Sequence, residues 1–149
     1  MSTSFRIDSE LEVIFTTCRE SVTDSEVLNY LRMLPQHPDY NLKFNHLVDC
    51  SWIDSFHVSA DLTRSVATRK LFSSRSRCAI VAPQDHIYGM ARMFELQHSG
   101  CIQVFRDLAS AEEWLNLERA SVHSIRLDER RGNGKSNAPI VSEAIKRLA

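Results

Sequence analysis

The segment Cys78-Ala79-Ile80-Val81-Ala82 is apolar without a break and is closed by Pro83. A strand with one wet face alternates apolar and polar side chains. An unbroken run belongs to a strand that is covered on both sides or central in its sheet. Arg77 to Ala82 is therefore predicted as an inner strand of a layered α/β domain, and the rest of the chain has to supply its neighbours and its covers.

Those neighbours are legible. Phe5-Arg6-Ile7 and Leu11 to Cys18 read as strands with only Asp8-Ser9-Glu10 between them, a spacing that predicts an antiparallel hairpin. Thr23-Asp24-Ser25-Glu26 is a capping box, the pattern that ties off the free N–H groups at a helix start. Its helix carries Val27, Leu28, Leu31 and Leu34 on one face and stops at Pro35 and Pro38. A polar loop, Gln36 to Asn45, leads to a strand over Leu47 to Ile53. A second helix is expected from Ser59, with Leu62, Val66, Ala67 and Leu71 inward. A third, capped by Asp85, turns Ile87, Met90, Ala91 and Phe94 inward and ends near Gly100. Cys101 to Phe105 is the last strand. Ser110-Ala111-Glu112-Glu113, a second capping box, opens a helix with Trp114 and Leu115. The order ββαβαβαβα predicts a mixed sheet, an N-terminal antiparallel hairpin followed by parallel βα repeats.

From about Ala120 the composition changes. Asp128 to Asn137 is a polar, Gly-containing linker. Pro139 suits a first helical turn, and Ile140, Val141, Ala144, Ile145 and Leu148 line one face of a short amphipathic helix. The chain is thus divided into an α/β domain over 1–119 and a linker with a C-terminal helical tail over 120–149. The apolar face of that helix asks for cover, by its own domain or by a second copy in a homodimer.

Composition removes several classes of function. With 149 residues and a formal net charge of -1, the chain is long enough for a core and is not an electrostatic nucleic-acid binder. No run approaches a membrane span, and Met1 to Arg6 lacks the apolar stretch of a secretory signal, so a cytoplasmic location is expected. Cys18, Cys50, Cys78 and Cys101 are far apart and read as reduced core thiols. Neither they nor the six His residues show metal-ligand spacing, so no metal and no cofactor is expected. Gly132-Asn133-Gly134-Lys135-Ser136 invites a phosphate-loop reading, but the first Gly of that motif falls at Glu129, and Pro139 starts the helix too late.

The candidate site is the junction from Val48 to Leu62, where a strand leads through Asp54, Ser55 and His57 to the helix at Ser59. Strand ends and first helical turns are where open α/β sheets bind ligands and partners. Asp49 and Asp54 are five residues apart and need not share a pocket. Asp, His and Ser occur together here without the nucleophile elbow a hydrolase needs. Ser59 is explained as a helix cap. In the third helix Gly89 has a helix-propensity cost of roughly 1 kcal/mol, which close packing or ligand approach offsets. Tyr88 and Arg92 flank it, and Arg92 either meets an anion or pairs with Asp49 or Glu95.

Several phrases resemble a bacterial family of small STAS-like proteins (sulfate transporter and anti-sigma-factor antagonist domains). They are Leu47-Val48-Asp49, Ala79-Ile80-Val81-Ala82-Pro83, Tyr88 to Glu95, and Val104-Phe105-Arg106-Asp107-Leu108 with Ala111 and Trp114-Leu115. The resemblance runs from roughly Phe5 to Leu117. It implies a STAS-like mixed sheet and a non-enzymatic switch or interaction module. The best-understood members carry Asp-Ser-Ser-Gly-Leu after the third strand, with a phosphorylated Ser that breaks binding to a kinase. Here Asp54-Ser55 matches the start of that motif and Ser59 the helix-start position, while the second Ser and the Gly do not follow directly. Related domains also bind lipids or nucleotides in an apolar pocket between sheet and helices. The expectation is a module regulating an unidentified protein partner through Asp54 to Ser59 and the start of the third helix. Its alternative is a binder of a small apolar or amphipathic ligand in a sheet–helix pocket.

Overall fold

The computed structural model describes residues 2–68, 73–98 and 100–117, with the backbone alone at 67–68. Five strands and four helices follow in the expected order: β1 (Thr3–Asp8), β2 (Val13–Thr23), α1 (Asp24–Met33), β3 (Asn45–His57), α2 (Ala60–Thr68), β4 (Cys78–Val81), α3 (Asp85–Gln97), β5 (Ile102–Phe105) and α4 (Leu108–Trp114). A single 3-10 turn, Leu34–Gln36, ends α1 at Pro35. The expected linker and C-terminal helix over 120–149, with any dimer contact through them, lie outside the described residues, as do Leu71 and the side chain of Ala67.

The sheet is five strands in the order β1-β2-β3-β4-β5. β1 and β2 are antiparallel, and β2, β3, β4 and β5 are mutually parallel. The hairpin turn is Ser9–Glu12, one residue longer than expected. Asp8 shapes it by accepting the N–H groups of Glu10 (3.0 Å) and Leu11 (2.9 Å), and Glu12 takes a positive φ of 55°.

β4 is the doubly covered strand its sequence requires, with all four residues buried. Cys78 and Ile80 face a core shared with α3, through Ile87 and Phe94, and with Val27 of α1. Ala79 and Val81 face a second core with Val13, Leu47, Ala111 and Leu115, closed by α4. α2 packs through Leu62 and Val66 against Leu31 of α1 and Phe94 of α3. Three helices thus cover one face and α4 covers the other.

Four expectations are corrected. Leu28 is 44% exposed, because the apolar face of α1 narrows to Val27, Leu31 and Leu34. Asp85 does not cap α3. Gln84 holds the cap position, while the Asp85 carboxylate pairs with Arg106 at 2.6 Å. The cap of α4 lies three residues before the one proposed at Ser110, because Asp107 accepts the Ser110 N–H at 2.8 Å. The stretch expected as a loop before α2 is strand: β3 runs to His57, and only Val58 and Ser59 separate it from Ala60.

Candidate functional site

The long β3 decides what faces what. Beyond Asp49 it has no pairing with β4 and is held by β2 alone, as far as Thr23↔His57. Two irregularities interrupt that pairing. Between Thr17↔Asp49 and Arg19↔Trp52, Cys18 stands opposite both Cys50 and Ser51. Between Glu20↔Ile53 and Ser21↔Ser55, Asp54 is the extra residue. Each is a β-bulge, which re-aims the side chains that follow it. Cys50, Ile53 and Phe56 therefore turn to the same face at a spacing of three, whereas Trp52 is 60% exposed with the Arg19 guanidinium 5.7 Å from its ring centre. Gln84 reaches from the start of α3 to the free edge of β3, its Nε2 donating to the Ser51 carbonyl at 2.9 Å.

The sequence-predicted site residues do not converge. Asp49 accepts the Ser51 N–H at 2.9 Å, as a strand residue tied to its own backbone. Asp54 is an exposed bulge residue, Ser55 is half-buried on the strand, and His57 is exposed at its end. Ser59 is the α2 cap, its hydroxyl accepting the Leu62 N–H at 3.1 Å while its own N–H donates to Asp24 at 2.7 Å. Tyr88 lies under the Arg106 guanidinium, 3.9 Å from the ring centre. Arg92 pairs with Glu95, one of its two expected structural partners. Among the described residues nothing packs on Gly89: a Cβ built there would meet no atom within 4 Å, so close packing by those residues does not explain it.

What the fold assembles instead is a cavity of about 210 Å³ between the sheet and α1, α2 and α3. Its floor is the inward row of the central strands: Thr16, Cys18, His46, Val48, Cys50, Ile53, Cys78 and Ile80. Its roof is Val27, Tyr30 and Leu31 from α1, Val66 from α2, and Ile87, Met90, Ala91 and Phe94 from α3. α3 contributes to this pocket through Ile87, Met90, Ala91 and Phe94, Met90 being 36% exposed, and not through Tyr88 or Arg92.

Burial favours the uncharged form of several polar groups in this wall. Thr16 is buried, and its hydroxyl lies 2.8 Å from that of Tyr30, whose ionisation burial pushes well up. His46 is 2% exposed, and burial lowers its pKa to about 4, so it is neutral at physiological pH. Burial pushes the Cys78 thiol up to about 12, and the Cys50 thiol is raised by its hydrogen bond to Cys18 together with burial. The Cys18 thiol in the same wall is shifted the other way, lowered by its hydrogen bond with Cys50. Sequence reading missed Thr16, Tyr30 and His46. A signal was present: Thr16 is in phase with Ile14 and Cys18, and His46 with Val48 and Cys50, so each is a polar residue on the buried side of its strand.

The architecture is that of a SpoIIAA-like, and hence STAS-like, fold. It is similar to an uncharacterized protein of the DUF3478 family with a SpoIIAA-like fold from Shewanella loihica PV-4, at a TM-score of 0.54 and 17% identity, over 76% of this chain and 94% of that one. Identity at that level shows the fold alone. No family model matches the chain, and no curated protein matches it. Among the described residues no helix is long and apolar enough to cross a membrane, and no group of His, Cys, Asp and Glu is placed to hold a metal ion.

Proposed function

We propose that this chain is a non-enzymatic STAS-like domain that binds a small apolar or amphipathic ligand between its sheet and helices. The cavity carries the reading. The space opens to solvent on one side and its lining is almost wholly apolar, so an apolar occupant removes that surface from water, which is favourable by about 25 cal/mol per Å². The candidate acid–base residues support a non-catalytic role, since Asp49 is bonded to its own strand and Asp54 and His57 face outward. Four unpaired thiols suit a reducing, cytoplasmic setting. A methyl-NMR titration with benzene tests the reading. Shifts confined to Val48, Ile53, Ile80 and Ile87, and abolished by Ala91→Leu, are expected. Shifts scattered over the surface, or none, refute it.

A second reading, regulation through a protein partner, is favoured by the outer face of α3. Gly89, Met93 and Leu96 share that face, and Met93 and Leu96 are 56% and 76% exposed among the described residues. A helical Gly without a packing reason suits close approach of another chain. The partner stays unassigned on this reading. A photo-crosslinker at Met93 is expected to give one discrete adduct in host cells, lost on Gly89→Leu; a diffuse smear or no adduct removes the reading.

A further inference from the structure

The pocket reading leaves the chemistry of the occupant open, and the wall narrows it. None of the described residues lining the cavity is Lys, Arg, Asp or Glu. Five arginines adjoin lining residues in sequence: Arg64 and Arg92 pair with Asp61 and Glu95, Arg19 and Arg77 lie over the Trp52 and Trp114 rings, and Arg32 donates to Asn29. Acids stand beside the wall, among them Asp24, which holds the Ser59 N–H next to Val58, and Glu26, which accepts from Ser2 next to Thr3. Among the described residues, an anionic group entering here therefore loses water and meets no cation in the lining, a combination that excludes charge from protein interiors.

A hydroxyl pair is nevertheless set into the apolar wall. Thr16 on β2 and Tyr30 on α1 meet at 2.8 Å, and both line the cavity. Each hydroxyl has capacity beyond that one bond. One neutral donor or acceptor on a ligand is matched there. Size sets the rest. An engineered cavity of about 150 Å³ takes benzene, so by proportion about 210 Å³ takes roughly eight or nine carbon atoms.

We infer that the cavity takes an uncharged single-chain molecule of about eight carbons with one hydroxyl or carbonyl head held by Thr16 and Tyr30, and rejects the carboxylate or phosphate of the same chain. This rests on the pocket reading above. It excludes free fatty acids and nucleotides from this space. His46, neutral by burial, gives an acid no counter-charge.

The test is a set of methyl-NMR titrations of the full chain near neutral pH with 1-octanol, octanoate and benzene. 1-Octanol is expected to bind at least about tenfold tighter than octanoate, since each 1.4 kcal/mol of unpaired-charge burial is worth a factor of ten. A smaller ratio, or a preference for octanoate, overturns the inference. Benzene reports the cavity without a head group. If benzene shifts the lining methyls and 1-octanol does not, the inference falls and the pocket reading stands. If neither ligand does, the pocket reading falls as well. Tyr30→Phe and Thr16→Val, each checked for a native-like spectrum, are expected to weaken 1-octanol about threefold to tenfold with benzene unchanged. Unchanged 1-octanol affinity in both variants removes the assigned head-group site.

Discussion

The two faces of this sheet are built from the same strands and behave as different materials. Under α4, Val13, Leu47, Ala79 and Val81 meet Ala111 and Leu115, all aliphatic and all buried. Short side chains on β4, Ala79 and Val81, let a short helix sit close. Under α1, α2 and α3 the same strands present thiols, a hydroxyl and an imidazole, and the helices stand off far enough to leave a cavity. A filled face contributes stability and gives a ligand no room. A face with an open apolar pocket leaves apolar surface that an occupant can cover. The comparison teaches that the functional side of such a sheet is recognised by what its inward residues fail to fill, more than by any reactive group on it.

The largest effect expected to sharpen this contrast comes from His46, on the cavity side. Its pKa lies near 4 in the folded state against 6.5 unfolded. The unfolded chain therefore binds the extra proton as pH falls. The neutral ring's contribution is fully present above pH 6.5 and is lost on descent to about 4, a loss of about 3 kcal/mol at 1.36 kcal/mol per unit. Urea unfolding across that window should show wild type losing this much more than His46→Gln. Equal losses would mean that His46 is not held neutral by burial.

A matched pair of insertions breaks the contrast directly. Ala79→Leu on the filled face is expected to cost about 2 kcal/mol, because a packed strand position has no room for added carbons. Ala91→Leu on the cavity face is expected to cost nothing or to stabilise, because the new side chain enters existing space. Thermal unfolding of both variants decides it, and comparable losses would show the cavity face to be as full as the other. The smallest effect concerns how α2 is held over the cavity. Ser59→Ala removes the hydroxyl that accepts the Leu62 N–H and is expected to cost about 1 kcal/mol. If chemical denaturation shows no loss, the cap is idle and α2 is positioned by Leu62 and Val66 alone.

Much of the fold was legible because it rests on local rules. Thr23 to Glu26 opened a helix as written, the Glu26 carboxylate accepting the Thr23 N–H at 3.2 Å. Pro35 ended that helix in a single tight turn. Misplaced caps arose where two local candidates competed. Asp85 had a salt-bridge partner in Arg106, twenty-one residues away, and Asp107 lay closer to the true start of α4 than Ser110. The junction was less legible. A run of Asp, Ser and His reads as loop, yet β2 is long enough to pair with it, and backbone hydrogen bonds to a neighbouring strand overrode side-chain polarity.

Sequence alone determined the order of elements, the doubly covered β4 and the hairpin at the edge, since each follows from periodicity, capping and chain stiffness within a few residues. Tertiary structure alone decided which residues share the cavity. Strict alternation along β3 would have sent Cys50, Trp52 and Asp54 to one face. Two bulges, set by register against β2, send Cys50, Ile53 and Phe56 there and leave Trp52 outside. Register is a property of two strands together, so no reading of one strand contains it. The pairing of Thr16 with Tyr30 is of the same kind. It joins a strand to a helix fourteen residues on, and only the packed sheet brings the two hydroxyls within reach.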